Sequence, residues 1–591
     1  MKKTEKYLFT VASIMVAIIG VLLLCYRVRY GVDFTDESWY VAEPYIVSKG
    51  ATPYVNNWQQ APGFSIGLNL IFQIYTSING TEGIFLFSRY VYCIFVVVTS
   101  LIALFFVGHG YKYIALLFPV IFINIGNLYD VNYNTIGLYY LFFSGALLLH
   151  GLDGKSNKRI ICCFISGLFF ARMVLGTPAT AITVLSTIIY LCVKKEWKCL
   201  ILYIGGGLSY VFGMSVWIFI RIRDFSIIYS GIRGFLTTNL YLAISRTDSL
   251  QKNLKFIITF ASPVIISFVI IIFLTLVEKR KERALISLIK ECIAFFWVLF
   301  AVVEYIRFKD INVFIKYTWF VSFFLSRESN VDRYKEIVSV KYLSLQYVLT
   351  YIIVSLTNIN GFGMDRLYWL LIPSIMGVIS LSLYKRKHPV KKIVIILTFC
   401  VLCYALTNRM FSYVYRDNYI DELNTKVDKG AWKGCYTTKN RAKAVVQIED
   451  YIKSQTDIND NVLFLDWTSF GYLMSEGQPC TPTTLDPMTY SYGVNKPGIM
   501  YKYFEMVGKI PNKIVYIDYG RDNTLSIEDD KWKFNDFVAE NYDIYNYTYL
   551  DIDTNYDCES NEESGHKYRV FVYRVIDEDS ALESIRRQKY K

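Results

Sequence analysis

Residues 7–32 read YLFTVASIMVAIIGVLLLCYRVRYGV, and residues 33–40 continue as DFTDESWY. The apolar run has the length of about 20 residues that crosses a bilayer. No small-residue cleavage site follows it, so we predict a retained membrane helix over about 8–26 and not a signal peptide. Three carboxylates, Asp33, Asp36 and Glu37, stand where this helix ends. Ionisable groups at a membrane edge are costly, and their presence there indicates function.

The composition of the whole chain predicts a polytopic α-helical membrane protein. Of its 591 residues, 54% are hydrophobic and 17% are aromatic, which exceeds ordinary usage in soluble domains. Apolar segments recur often enough to predict about thirteen spans. The predicted spans cover 8–26, 84–107, 112–127, 133–150, 159–174, 177–193, 198–220, 255–277, 286–304, 311–325, 341–357, 367–384 and 391–408.

The basic loops orient these spans. If the N-terminus is cytoplasmic, the segments DGKSNKR (153–159), KKEWK (194–198), EKRKER (278–283) and YKRKHPVKK (384–392) all lie inside, as the positive-inside rule requires. We therefore predict a multi-pass protein of the cytoplasmic membrane, with DFTDESWY on the outer face. The net charge of +12 fits loops that face anionic membrane lipids, and it does not indicate a nucleic-acid partner.

Two domains are predicted. Residues 1–408 form the membrane domain, with a first external loop over 27–83 that carries juxtamembrane helices, and residues 409–591 form an extracytoplasmic α/β domain. The stretch 221–254 is predicted as an external loop. In the tail we predict helices over 441–455 and 531–541 and strands over 461–466, 513–519 and 566–575. One disulfide among the tail cysteines Cys435, Cys480 and Cys558 is left open.

The first external loop has features in a recognisable order. It places Asp36 and Glu37 after the first span, then Tyr40 and Ala42, Gly50, Pro62 before a short apolar helix, and Arg89 in the next span. In this order the loop resembles that of GT-C glycosyltransferases that use polyprenyl-phosphate sugars. These include the lipid A aminoarabinose transferases, the protein O-mannosyltransferases and the bacterial family 39 enzymes.

The resemblance implies transfer of a sugar from a polyprenyl-phosphate donor to a glycan, lipid or protein acceptor, with inversion. A hydroxyl acceptor is a poor nucleophile, so the reaction benefits from a carboxylate base. By its position in the acidic pair, Asp36 is expected to be that base, with Glu37 as its orienter or a second acceptor contact. Metal dependence is left open, because some GT-C enzymes bind a divalent cation through similar acids. The competing hypothesis is that these acids only cap the helix that begins at about residue 37.

Further polar residues at the outer face are candidates for substrate contacts. Asp130 is a second catalytic candidate, since it lies at the outer end of the third span in LYDVNYNTIG. Asn132 and Asn134 beside it, together with Asp33 and Tyr40, are predicted contacts to acceptor or sugar. The alternatives are a simple Asp/Asn turn at 130–134 and a solvated loop acid at Asp33.

The departing phosphate needs cationic stabilisation. We predict that Arg89, Arg172 and Arg366 provide it, with Arg307 and Lys316 in reserve. For Arg172 and Arg366 the alternative is anchoring at the headgroup level of the membrane.

Two other functions stay open at this point. A lipid-linked oligosaccharide flippase or polysaccharide polymerase is also polytopic, but it should spread its charges over many spans or one large loop. A non-catalytic membrane-anchored binding protein would capture a ligand with its tail. A transporter is disfavoured, because no pair of interrupted spans repeats in the two halves.

Overall fold

The computed structural model describes most of the N-terminal half and much of the tail. The described residues are 3–59, 62–107, 117–122, 124, 127–153, 156–174, 178–244, 296, 299–300, 302–307, 389–465, 468–484, 498–518, 538, 540–551 and 567–588. The predicted spans over 255–277, 311–325, 341–357 and 367–384, and the predicted residues Arg366 and Lys316, lie outside these ranges.

The N-terminal half is helical. Its helices are α1 Lys3–Arg27, α2 Asp36–Ser48, α3 Leu68–Asn79, α4 Ile84–Val107, α5 Leu117–Ile121, α6 Tyr133–Asp153, α7 Ser156–Val174, α8 Pro178–Val193, α9 Trp197–Ile222, α10 Phe225–Ile244 and α11 Pro389–Met410. Among the described residues, four segments are long and apolar enough to cross a membrane: Thr10–Arg27, Ile84–Phe105, Thr135–Leu152 and Trp197–Ile222. The described part is therefore mostly helical and suited to a membrane, while the number of thirteen spans stays a prediction.

Two stretches of this half differ in secondary structure from what the sequence indicated. The stretch 221–254, predicted as a segment between two spans, contains helix α10, whose first backbone N–H groups at Ser226 and Ile227 donate to Asp224 Oδ1 at 2.8 and 3.3 Å. Asp224 thus caps the helix and satisfies donors that would otherwise lack partners. Within the predicted span 112–127, the described helix covers only Leu117–Ile121.

The tail contains a mixed sheet with helices. Its elements are β1 Thr425–Lys426, β2 Tyr436–Thr437, α12 Lys439–Gln455, β3 Asn461–Leu465, α13 Gly471–Met474, β4 Gln478–Pro479, α14 Gly498–Val507, β5 Lys513–Asp518, β6 Tyr542–Asp551, β7 Lys567–Val575 and α15 Glu578–Gln588. The sheet has the strand order β4-β3-β5-β7-β6. Strand β3 runs parallel to β4 and β5, whereas β7 pairs antiparallel with β5 and β6. The predicted helix over 441–455 and the strands β3, β5 and β7 are confirmed.

The tail is bonded to the segment between α1 and α2 and packs against α4. Gly31 N donates to Tyr436 O and Tyr436 N donates to Arg29 O, each at 2.8 Å. The rings of Phe85 and Trp432 stack with centroids 4.0 Å apart. Residues of α1, α4, α6 and the tail also belong to one continuous hydrophobic core. Since an apolar core resists separation, the tail and the helices α1, α4 and α6 hold each other in place.

Helix α10 lies against the same loop at very short range. A Cβ added at Gly231 would come within 2.4 Å of Val55 O, and one added at Gly234 within 2.3 Å of the Trp58 ring. Only glycine permits backbones to approach this closely. The helix thereby closes one side of the loop that carries the acids.

Candidate functional site

The three acids of DFTDESWY have three different environments. Asp33 is the residue that caps α2: its Oδ1 accepts from Thr35 N at 2.8 Å and from Thr35 Oγ1 at 2.7 Å, and its Oδ2 accepts from Glu37 N at 2.9 Å. Thr35, the residue just before α2, makes no such side-chain bond. Burial raises the pKa of Asp33 to about 6. The helix-cap hypothesis therefore applies to Asp33, and it leaves the side chain of Asp36 for other contacts.

Glu37 is buried in an ion pair with Arg89. Arg89 Nε donates to Glu37 Oε1 at 2.5 Å and Arg89 Nη2 donates to Glu37 Oε2 at 2.6 Å. The remaining N–H groups of Arg89 point to the carbonyls of Val28, Tyr30 and Gly31, at 2.9, 3.3 and 2.7 Å. A guanidinium has five N–H donors, and these five contacts engage them all. Arg89 thus holds the chain between α1 and α2, and no N–H remains for the predicted phosphate contact.

Asp36 is the accessible acid of the three. Its side chain is 18% exposed, whereas Glu37 is 1% exposed. Tyr415 Oη donates to Asp36 Oδ2, and Arg416 Nη2 lies 3.8 Å from the same oxygen. Burial and the charge of Asp36 raise the pKa of Tyr415, so its hydroxyl stays a donor. A carboxylate with solvent access, a fixed hydrogen bond and a neighbouring cation is an arrangement suited to a general base.

Tail residues hold Arg416 in this position. Arg416 has a left-handed backbone with φ 52°, and its Nη1 donates to Thr35 Oγ1. Arg441 Nη1 donates to the carbonyl of Arg416 and, at 2.8 Å, to that of Val32. Asp417 Oδ2 in turn accepts from Val32 N at 2.9 Å. Backbone strain at a site needs surrounding contacts to maintain it, and these bonds tie residues 415–417 to the start of α2.

Sequence reasoning missed Tyr415, Arg416, Asp417 and Arg441. One signal was present: YVYRDN (413–418) follows the predicted span 391–408 much as DFTDESWY follows the first span. In both places charged residues stand directly beyond the end of a predicted span, which is the pattern that indicates a functional site.

Asp130 lies beside the Glu37–Arg89 pair but is fully buried. Its Oδ1 accepts from Ser88 Oγ at 2.5 Å and from Val131 N at 2.6 Å, while Oδ2 is buried without a hydrogen-bond partner. Burial and the nearby charge of Glu37 raise the pKa of Asp130, which favours its neutral form. Such a group is a weaker candidate for a base than Asp36.

The predicted sugar contacts are placed unequally. Asn132 Oδ1 accepts from Thr135 N at 2.7 Å, so Asn132 caps α6. Asn134 lies in α6, and its side chain is not among those described. Tyr40 is 6% exposed and packs in an aromatic cluster with Trp39, Phe64 and Tyr133 that also contacts Tyr415. The cluster therefore packs an apolar surface against Tyr415, the residue that donates to Asp36.

The remaining predicted cations contribute little to this picture. Arg172 lies in α7 with its side chain outside the description. Arg307 is an exposed residue. Among the described residues, no three His, Cys, Asp or Glu side chains lie close enough together to hold a metal ion. Cys435 and Cys480 are both buried and free.

A fourth carboxylate that the sequence did not single out lies further along α2. Glu43 is fully buried; its Oε1 accepts from Asn57 Nδ2 at 2.6 Å and its Oε2 from Thr484 Oγ1 at 3.4 Å. Burial raises the pKa of Glu43 to about 8. In the part of the chain that the structure describes, no basic side chain forms an ion pair with it. This acid joins the first loop to the tail without access to solvent.

No model of a known protein family matches the chain, and no curated protein matches it.

Proposed function

We propose that the chain is a membrane glycosyltransferase that moves a sugar from a polyprenyl-phosphate donor to a glycan, lipid or protein acceptor on the outer face of the cytoplasmic membrane. The observation that carries this proposal is the environment of Asp36. Asp33 caps α2 and Glu37 forms a buried ion pair, whereas Asp36 does neither. Asp36 is partly exposed beside Tyr415 and Arg416. The order of features in the first loop, from Asp36 to Arg89, supports the same reaction class.

In this reaction Asp36 takes the proton of the acceptor hydroxyl as the oxygen forms its bond to the anomeric carbon. The bond between that carbon and the phosphate oxygen breaks, and polyprenyl phosphate leaves with the electron pair. Tyr415 fixes one carboxylate oxygen, and Arg416 supplies positive charge next to the reacting groups. Inversion is what the resemblance of the first loop implies, and direct displacement of this kind needs one carboxylate base at the acceptor hydroxyl.

The topology belongs to the same proposal. About thirteen spans with the N-terminus in the cytoplasm place α2 and the tail on the outer face, where lipid-linked sugars are used after translocation. The tail then has a defined task, since it contributes Tyr415 and Arg416 and the bonds of Arg441 that hold them.

The test is sugar transfer in membranes of cells that express the full chain. A panel of radiolabelled polyprenyl-phosphate sugars serves as donor, and transfer is normalised to the amount of folded protein. Asp36→Asn removes the base but keeps the shape, so transfer should fall by about 10²-fold or more. The matched control is Asp421→Asn, an exposed acid of the same tail segment, which should leave transfer unchanged. Undiminished transfer by Asp36→Asn, or none by the parent chain with any donor, would reject the proposal.

A further inference from the structure

Arg27, the last residue of α1, is a buried arginine with donors left over. Its side chain is among the largest fully buried ones, and its Nη1 donates to Tyr30 O at 3.1 Å. The guanidinium carbon lies 5.0 Å from the centre of the Tyr129 ring. The Nε and Nη2 atoms are buried and have no hydrogen-bond partner. Buried donors normally find partners, so this pair of N–H groups requires an explanation.

The charge of Arg27 is uncompensated as well. Among the described residues, no carboxylate forms a salt bridge with it, and its charged neighbours include two further cations, Arg89 and Arg409. Glu37, whose charge also acts on Arg27, already binds Arg89 through both oxygens. A buried charge without a partner destabilises the fold. An anion placed at Nε and Nη2 would offset that cost.

Helix α1, which ends at Arg27, packs against helix α5, and α5 also packs against α11. After α5, Asn127 Nδ2 donates to Tyr413 O at 2.6 Å, while Asn127 Oδ1 and both amide atoms of Asn124 are buried without partners. These residues add further buried polar groups without partners to the segment that follows α5.

The two unpartnered groups of Arg27 match a particular ligand. Nε and Nη2 form one edge of the guanidinium, and their parallel N–H groups fit two oxygens of a phosphate or carboxylate. Arg27 ends the first apolar span, Thr10–Arg27, which is the depth at which a lipid carries its phosphate. A lipid-linked phosphate therefore fits both the chemistry and the position.

We infer that Arg27 binds the phosphate of a membrane-embedded polyprenyl phosphate, with Arg409 adding positive charge. Identifying this lipid with the sugar donor rests on the proposed function. Arg27 and Arg89 both donate to Tyr30 O, and Arg89 holds Glu37, the residue next to Asp36. The phosphate site thus adjoins the acid that acts on the acceptor.

The experiment measures binding to the purified full chain in detergent, without any sugar. The probes are a short-chain polyprenyl phosphate, the corresponding polyprenol and inorganic phosphate. Arg27→Gln should weaken binding of the polyprenyl phosphate by 10-fold or more, and Arg27→Lys should bind with intermediate affinity because it keeps the charge but loses the bidentate edge. Arg29→Gln is the matched control, since Arg29 is an exposed arginine two residues away.

A second measurement separates ligand binding from a merely structural role. An arginine kept for stability would lower the unfolding midpoint when replaced, whereas Arg27→Met should leave the midpoint without ligand unchanged or higher, because it removes an unpaired buried charge. Polyprenyl phosphate should raise the midpoint of the parent chain and not that of Arg27→Met.

Three outcomes would overturn the inference: equal binding by Arg27→Gln and the parent chain, equal binding of polyprenol and polyprenyl phosphate, or binding of inorganic phosphate as tight as that of the lipid. Phosphate-dependent lipid binding in a chain that transfers no sugar would support the site and reject the transferase.

Discussion

Helix α2 meets the tail at two places that differ in their charge and in their access to solvent. At its first turn lies the open corner, formed by Asp36, Tyr415 and Arg416, and two turns later lies the sealed corner, formed by Glu43, Asn57 and Thr484. Residues seven apart share a helix face, so Asp36 and Glu43 both face the tail. The open corner has a cation and solvent access, whereas the sealed corner has neither among the described residues.

This difference shows how one helix can carry a reactive acid and a structural one. Desolvation opposes the charged form of a carboxylate, and an adjacent cation favours it. Glu43 therefore serves the junction as a hydrogen-bonding group, while Asp36 keeps the features of a base. The following predictions test the two corners and their supports, beginning with the largest effect on stability.

Of the sites tested, the Glu37–Arg89 ion pair next to the open corner should contribute most to the free energy of unfolding. Glu37→Gln leaves the Arg89 guanidinium buried opposite a neutral group, and loss of one partner of a buried pair costs about 3–5 kcal/mol. Thermal unfolding in detergent should show a large drop in the midpoint. The control is Glu82→Gln at the half-exposed pair with Lys433, for which about 0–1 kcal/mol is expected. Similar drops for both variants would mean that Arg89 does not hold the loop.

The sealed corner should make stability depend on alkaline pH. Because the folded pKa of Glu43 is raised to about 8, the folded chain binds this proton more tightly than the unfolded chain. The stability it confers is complete below the pKa of a free glutamate and is lost as pH rises through 8.

Glu43→Gln mimics the protonated acid, so the variant should be more stable than the parent chain at pH 9, on the order of a few kcal/mol. Unfolding midpoints between pH 7 and pH 9 measure this, in a range above the titration of Asp33, whose pKa is about 6. Parallel pH curves for variant and parent would place an unrecognised cation next to Glu43.

The cap of α2 should have a moderate effect. Asp33→Ala removes three hydrogen bonds to Thr35 and Glu37 and should cost about 1 kcal/mol. Asp33→Asn should cost less than Asp33→Ala, because its one acceptor oxygen can keep the bonds from Thr35 while its amide nitrogen cannot accept the bond from Glu37 N. If Asp33→Asn lost sugar transfer while its midpoint stayed the same, the side chain would contact substrate, as the sequence first indicated.

The smallest effect is expected at Asp130. Because burial favours its neutral form, Asp130→Asn should change transfer by less than a few-fold and stability by about 1 kcal/mol or less. Transfer assays and unfolding midpoints in the same preparation measure both. A loss as large as that of Asp36→Asn would make Asp130 a second catalytic acid.

Much of the first loop could be predicted, because local pattern determines it. Helix α2 begins within one residue of the predicted start at 37, and α3 follows Pro62 as expected. The strands β3, β5 and β7 were visible as apolar or alternating runs for the same reason. Helix α10, inside the segment 221–254, was not predicted, since Asp224 had not been considered as a helix cap.

The sequence alone could not show which acid caps α2, which one pairs with Arg89 and which one stays accessible. This assignment depends on which carboxylate reaches back to the N–H groups of Thr35 and Glu37, and that is a matter of backbone angles before α2. It also depends on Tyr415 and Arg416, nearly 380 residues further along the chain. Contacts at that separation have no local signature in a single sequence.

The most direct test compares the two corners in one assay. Sugar transfer from the donor panel is measured for Asp36→Asn and Glu43→Gln in membranes with equal amounts of folded chain. Asp36→Asn replaces a partly exposed acid, and Glu43→Gln replaces an acid that burial keeps protonated at neutral pH. Both changes keep the shape of the side chain, and they differ in the corner that they affect. We predict that Asp36→Asn loses transfer by about 10²-fold or more and that Glu43→Gln keeps most of it. Retained transfer in Asp36→Asn, or an equal loss in both variants, would contradict the assignment of Asp36 as the base.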